Sequence, residues 1–363
     1  MWPGHACCTH LSSVASPPRS IIGFALVIVV GLTGISLAAP PSYTVVDLGT
    51  LEEGNSIVVR GLNNNGEATG SSVSGSAHRG FVVARGRIDR FGVRPGGDHS
   101  IVRGINDAGE VAGSANTSTA VRAFRASRGG AMQDLAPLPG DSASEAFAIN
   151  TPGDAVGFSS GPMGVRAVLW TRAGTVRALG GLPGGRDSRA FAVSDAGDAA
   201  GAATTSSGRK HAVRWSGGSV VDLGTLPGDV ESQAFAINSV GDVVGTSTGE
   251  RGMRAVLWRR GAVMDLGMLP GGGTSRALGI NDRGDVVGSS AAGHDLHAFL
   301  WTAAGGLQDL NALIPRSDFI LMEAVAVNAR GVILAIGRDG TDDGPHDHHE
   351  EFPVRVFLLE LNP

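Results

Sequence analysis

The chain has almost no cysteine: Cys7 and Cys8 are the only two among 363 residues. It has one lysine, Lys210, and one tyrosine, Tyr43. Aromatic residues make up 5% and charged residues 17%. The formal net charge of −5 supplies no basic field to attract nucleic acid. Arg19 precedes an apolar stretch over residues 21–37, and small residues lead from it to Pro40. That order reads as a secretory signal over residues 1–38, cut after Ala38. The stretch is slightly short of the roughly 20 residues that span a bilayer, and an uncleaved anchor is the alternative. Cleavage would remove both cysteines, which excludes disulfides, a thiol nucleophile and a cysteine-based metal site from the exported chain. Neither cysteine follows the apolar stretch as lipoprotein processing requires.

What is abundant is glycine, 56 residues, roughly twice the ordinary usage of about 7%. No Gly-X-Y period is present, which excludes collagen. A hydrophobic fraction of 42% is enough for a core and excludes wholesale disorder. Much of the glycine recurs at fixed intervals. The clearest unit runs from Ala277 to Gly288, and its equivalents begin at Val59, Val102, Ala146, Ala190, Ala234 and Ala324. Their turn glycines are Gly66, Gly109, Gly153, Gly197, Gly241, Gly284 and Gly331, spaced by 43, 44, 44, 44, 43 and 47 residues. A period of this size marks a repeat architecture and leaves one domain over residues 39–363.

Each unit holds four strand-like pieces. The first is Ala-Phe-Ala-Ile-Asn, as at residues 234–238, and the second is Gly-Asp-Val-Val-Gly at 241–245. The intervening Asn-Asp-x-Gly pattern is hairpin chemistry, with Gly at the positive-φ position. A third piece resembles residues 297–301, and a fourth resembles residues 220–224. No sustained 3.6-residue apolar period appears, so no helix is expected. Four short strands per repeat predict an all-β, seven-bladed propeller. The ends support ring closure. The last unit lacks its fourth strand, while residues 43–49 form a spare fourth strand before the first unit. The N-terminal strand is therefore expected to complete the last blade and leave no open edge.

These motifs resemble a bacterial extracellular repeat family named for its His-Ala-Phe triplet, seen here at His297-Ala298-Phe299. Weaker triplets start at Arg166, His211 and Arg254, and the Asp-Leu-Gly-x-Leu-Pro-Gly pattern starts at Asp222 and Asp265. The resemblance covers nearly the whole chain after the signal. It implies export and a propeller-like architecture, and assigns no molecular activity. The first and last copies depart most from the triplet, with Arg79-Gly-Phe and Arg355-Val-Phe.

With the first strand innermost, the Asn-Asp-x-Gly turns and the third-to-fourth hairpins share one rim. They are short and uniform, which suits a structural role. The second-to-third loops and the Pro-Gly loops share the other rim and vary in sequence, as functional loops on a rigid scaffold do. The longest is residues 338–353. In it Asp339, Thr341, Asp343, Asp347 and Glu350 match the oxygen-ligand spacing of a 12-residue calcium loop, with Gly344 at the sharp turn. No helices flank it, and His346 replaces the usual apolar residue at position 8. His346, His348 and His349 with the carboxylates offer a transition-metal alternative, and a solvated acidic hairpin is the third reading. Calorimetry with Ca²⁺ and Zn²⁺ separates the three.

Every unit also carries a basic residue at one third-strand position: Arg79, Arg122, Arg166, His211, Arg254, His297 and Arg355. The ring suggests an anion site. Cross-strand pairing competes, because the hairpin count sets Arg122 near Asp134, His211 near Asp222, Arg254 near Asp265 and His297 near Asp309. Arg355 would meet Asp47 across the ring closure, while Arg79 and Arg166 would face Arg90 and Ala178. Trp170, Trp215, Trp258 and Trp301 share one position and are expected in blade packing. Ser100, Ser144, Ser188, Ser232 and Ser275 also recur and read as structural. The loop histidines His78, His99 and His294 occupy unrelated positions, and no Gly-x-Ser-x-Gly or His-Glu-x-x-His motif occurs. The expectation is a secreted, periplasmic or surface-associated monomer that binds an extracellular protein or polysaccharide without catalysis. No nucleic acid and no stable membrane insertion after cleavage are expected. The alternative is a secreted hydrolase or lyase with its site on the variable-loop rim.

Overall fold

Each repeat closes on itself as three successive hairpins, because strand-length apolar pieces are separated by residues that turn the chain. In the fifth repeat the strands are Glu231–Ile237, Val243–Gly249, Gly252–Arg259 and Ala262–Gly267. The computed structural model describes residues 42–49, 56–74, 77–340 and 354–362. Within them the chain forms seven four-stranded antiparallel sheets, each running from first strand to fourth in sequence order except at the closure. The protein is a seven-bladed β-propeller. Residues Pro40–Pro363 form one compact unit, and the expected signal lies outside the described residues. One three-residue 3₁₀ turn, Leu310–Ala312, departs from the helix-free expectation, and the Asp309 side chain caps it.

The closure follows the sequence expectation. Tyr43–Gly49 pairs antiparallel with Arg355–Leu361, so the seventh blade takes its outer strand from the N-terminal side. Tyr43 is buried against Leu313, Leu321 and Leu359. That burial, with Asp285 nearby, pushes its phenol up to about 12.

The cores lie between blades. In one, Ala200 and Ala212 of the fourth blade pack on Leu226, Ile237, Val243, Val256 and Trp258 of the fifth. Small residues let the sheets approach closely, as dense packing requires. Gly245 shows how close: a Cβ there would collide with the Gln233 carbonyl oxygen across the first hairpin. The recurring serines join blade to blade. The Ser232 hydroxyl accepts the Ala212 N–H at 2.8 Å and donates to the Gly224 carbonyl at 2.8 Å. Ser144 and Ser275 make the same two bonds at their own junctions. Their hydroxyls are therefore structural.

The turn asparagines form a second set of fasteners around the axis. The Asn238 carboxamide oxygen accepts the Asp242 N–H of its own turn, and its nitrogen donates to the Asn281 carbonyl of the next blade at 3.1 Å. Asn281 passes the pattern to Asn328, and Asn328 returns it to Asn63 across the ring closure. Asn63, Asn106 and Asn150 continue it. The fourth blade breaks the series, because Ser194 stands there and its shorter side chain bonds only its own turn. Replacing Ser194 with Asn is expected to complete the ring and stabilise the protein by about 0.5–1.5 kcal/mol, one net hydrogen bond. An unchanged or lower urea midpoint for Ser194→Asn would show that the asparagines cap turns without joining blades.

Candidate functional site

Two axial features follow from this ring. The first is a pocket of about 230 Å³ at the mouth formed by the Asn-Asp-x-Gly turns. Its wall combines the ring asparagines with the residue after each of them. Asp107, Asp195 and Asp282 occupy that second position in alternate blades, and each accepts the backbone N–H of the preceding turn at 2.8 Å. These carboxylates act as turn-to-turn fasteners. The uniform rim, expected to be structural, thus also holds a pocket.

The second feature is the channel wall made by the first strands: Ser56–Leu62, Ser100–Ile105, Ala143–Ile149, Ser188–Val193, Glu231–Ile237, Ser275–Ile280 and Phe319–Val327. Every one of them carries a register shift at the same place. A bulge turns a side chain out of the ladder's alternation. The residues at the shift are Arg60 and Arg103 in the first two blades, then Phe147, Phe191 and Phe235, then Leu278 and Val325. Neighbouring members touch around the axis. Arg103 lies over Phe147 at 4.8 Å. Phe147 meets Phe191 edge-on at 5.2 Å, and Phe191 lies 6.3 Å from Phe235. Phe158 packs on Phe147 at 5.8 Å and carries Arg189 over its face at 5.4 Å. All four rings are only half-buried. One side of the channel is therefore aromatic and partly open. The repeat pattern places Phe147, Phe191 and Phe235 in strands but does not by itself show their common direction. The signal was the Ala-Phe-Ala triplet that interrupts strict alternation.

Charge in the channel is partly paired among the described residues. Arg103 meets Glu145 at 2.8 Å, and Arg276 meets Glu323. Burial pulls the Arg103 guanidinium below its ordinary value, and nearby Arg60 adds to this while Glu145 opposes it. At the variable-loop end, Arg189, Phe191, Lys210, Gln233 and Asp187 line a pocket of about 40 Å³ between the fourth and fifth blades.

The ring of third-strand cations resolves into pairs. His211 meets Asp222 at 2.8 Å, Arg254 meets Asp265 at 3.0 Å, His297 meets Asp309 at 2.7 Å, and Arg355 meets Asp47. Arg122 differs from expectation: it donates to the Ser142 carbonyl, while Asp134 pairs with Arg94. Arg79 donates to the carbonyls of His78 and Asp98. Arg166 reaches across the blade to Asp141 at 2.7 Å. Each cation is thus committed within the fold. Burial alone would push the Asp141 carboxyl up, but the Ser159 hydroxyl and Arg166 hold it below its ordinary value. A depressed folded value stabilises the protein above the usual carboxylate range, near pH 4, and that contribution is lost as pH falls through the folded value. Arg166→Gln is therefore expected to raise the pH of acid unfolding, followed by tryptophan fluorescence; an unmoved acid midpoint would count against the pair.

His78 and His99, expected at unrelated positions, stack at 5.0 Å, and His99 Nδ1 bonds Asp98. Trp170 and Trp215 donate to the carbonyls of Ala136 and Gly180, and Trp258 is buried beside them in rank. Of the calcium-loop residues, only Asp339 is described, and its carboxylate accepts from Arg355 at 2.6 Å. A cation bound there would face the Arg355 charge. Thr341, Asp343, Asp347 and Glu350, with the three loop histidines, lie outside the described residues. No group of three or more metal-ligating side chains occurs among the described residues. No helix among them is long and apolar enough to cross a membrane.

No family model matches the chain, and no curated protein matches it either. Solved structures do. The β-propeller domain of the trilobed protease from Pyrococcus furiosus aligns over 84% of this chain and 93% of its own, with 8% identity and a TM-score of 0.51. The acylaminoacyl peptidase of Pyrococcus horikoshii aligns over 87% of this chain and 54% of its own, with 10% identity and a TM-score of 0.51. TolB from Acinetobacter baumannii aligns over 66% of this chain and 62% of its own, with 13% identity and a TM-score of 0.46. At these identities the likeness is one of fold.

Proposed function

We propose that the protein is an exported, non-catalytic interaction module of the His-Ala-Phe repeat family, delivered by the segment at residues 1–38. It holds an extracellular ligand at the axial channel. The observation that carries this reading is the partly open aromatic wall of Phe147, Phe158, Phe191 and Phe235. Elsewhere the repeat positions that could act chemically are engaged: the serines hold neighbouring blades, the turn aspartates hold neighbouring turns, and the third-strand cations hold carboxylates or carbonyls. Half-exposed rings on a rigid frame offer apolar area and low ordering cost to a ligand.

The test is a glycan array with the secreted protein, followed by incubation with the selected glycan and analysis for products. Expected are reversible binding, no product, and at least a tenfold loss of affinity in the Phe147→Ala/Phe191→Ala double variant. Release of shortened or unsaturated products would replace this reading with the hydrolase or lyase.

A further inference from the structure

We infer that the pocket between the fourth and fifth blades receives the carboxylate of an acidic sugar unit, so that the ligand is a uronate-bearing polysaccharide. This rests on the channel being the binding site. Two channel cations in other blades have carboxylate partners, Arg103 with Glu145 and Arg276 with Glu323, whereas Arg60 meets none among the described residues. Arg189 stands at the position equivalent to Glu145 and, among the described residues, meets no carboxylate; its guanidinium lies over Phe158. Lys210, the only lysine in the chain, lines the same pocket and likewise forms no ion pair among the described residues. Two cations thus share one cleft whose lining holds a single carboxylate, Asp187, its Oδ1 already held by the Val165 N–H at 3.0 Å, while Glu231 beside it accepts the Lys210 backbone N–H at 3.4 Å. Gln233 brings an amide that no side-chain hydrogen bond among the described residues uses.

Size and shape select the ligand group. The pocket, about 40 Å³, is open to solvent on one side, so it can seat a carboxylate while the rest of the sugar lies outside it. Phe191 lines the pocket and belongs to the aromatic wall, so a ring entering carboxylate-first would lay its apolar face along the phenyls. A guanidinium suits the planar carboxylate, an ammonium adds a point charge, and a carboxamide serves a hydroxyl. A neutral sugar would leave both cations without a partner.

Titration calorimetry with tri-galacturonate, maltotriose and benzoate tests this on the full secreted chain. Tri-galacturonate is expected to bind at least tenfold tighter than maltotriose and to weaken as salt rises. Benzoate, which has the carboxylate and a ring but no hydroxyls, should bind at least tenfold more weakly than tri-galacturonate. Arg189→Gln/Lys210→Gln should cost at least tenfold in tri-galacturonate affinity, with the thermal midpoint lowered by no more than loss of the Arg189–Phe158 contact accounts for, because neither side chain supports the fold through an ion pair among the described residues. Arg189→Lys should recover part of the loss. The inference falls if maltotriose binds equally well, if benzoate equals tri-galacturonate, if tri-galacturonate does not bind, or if the double variant binds like the parent. Loss of maltotriose binding on replacing the phenylalanines, with the cation variants unaffected, would overturn the acidic-sugar assignment and leave the interaction module standing.

Discussion

Removing residues 40–49 is expected to abolish the cooperative native state. This strand supplies the outer edge of the seventh blade and pairs with Arg355–Leu361 over its length. The Tyr43 N–H bonds the Leu313 carbonyl at 3.0 Å, and the Ser42 carbonyl accepts the Asn362 N–H at 2.9 Å. Without the strand, Phe357 and Leu359 would lose the cover that Tyr43 gives and an unpaired strand edge would face water. Tyr43→Ala alone should cost roughly 3–5 kcal/mol, the range for large buried aromatic side chains. Set against a total stability of about 5–15 kcal/mol, loss of the whole strand exceeds what the remaining ring can absorb. Asp47→Asn, which removes only the exposed ion pair to Arg355, should cost no more than about 1 kcal/mol. Circular dichroism melting and size exclusion read the result. A truncated chain that melts at the parent temperature would refute the closure, whereas recovery on adding a peptide of residues 42–49 would support it directly.

Trp170→Ala is expected to be the most damaging single tryptophan substitution, at about 3–5 kcal/mol. Its ring is fully buried between the second and third blades, and its N–H bonds the Ala136 carbonyl at 2.6 Å. The variant leaves both a cavity and an orphaned carbonyl. Trp301 has the equivalent repeat position but is only half-buried. Its replacement by Ala should shift the urea midpoint by markedly less. Equal shifts would mean that the two blades pack alike despite their different exposure.

The architecture was legible because its determinants are local and repeated. Hairpin glycines set the period, and the spare strand at residues 43–49 matched the strand missing after Leu361. Ion pairs within one hairpin, such as His297 with Asp309, followed from counting residues back from the turn. Contacts between a blade's strands and the loop that leads into it did not follow from such counting. Arg166 finds Asp141 and Arg94 finds Asp134 through distances that only the folded blade sets. The stack of His78 on His99 joins the first blade to the start of the second and needs the assembled ring. The channel wall was hidden for another reason. A single bulge at each first strand changes which side chains face the axis, and the apolar pattern alone does not announce it. The site therefore depends on departures from the repeat, while the fold depends on its regularity. The phenylalanines occupy the bulge in three blades, and Arg, Leu or Val occupies it in the others.

That division suggests the most direct measurement. Phe191→Leu copies into the fourth blade the residue type that stands at Leu278 of the sixth, and Ser232→Ala removes a junction hydroxyl. Both variants would be measured for thermal midpoint and for retention on the glycan selected by the array. Ser232→Ala should lower stability by about 1–3 kcal/mol and retain the ligand at temperatures where it is folded. Phe191→Leu should cost less than about 1.5 kcal/mol and lose retention. Full retention by Phe191→Leu would contradict the assignment of binding to the aromatic channel wall.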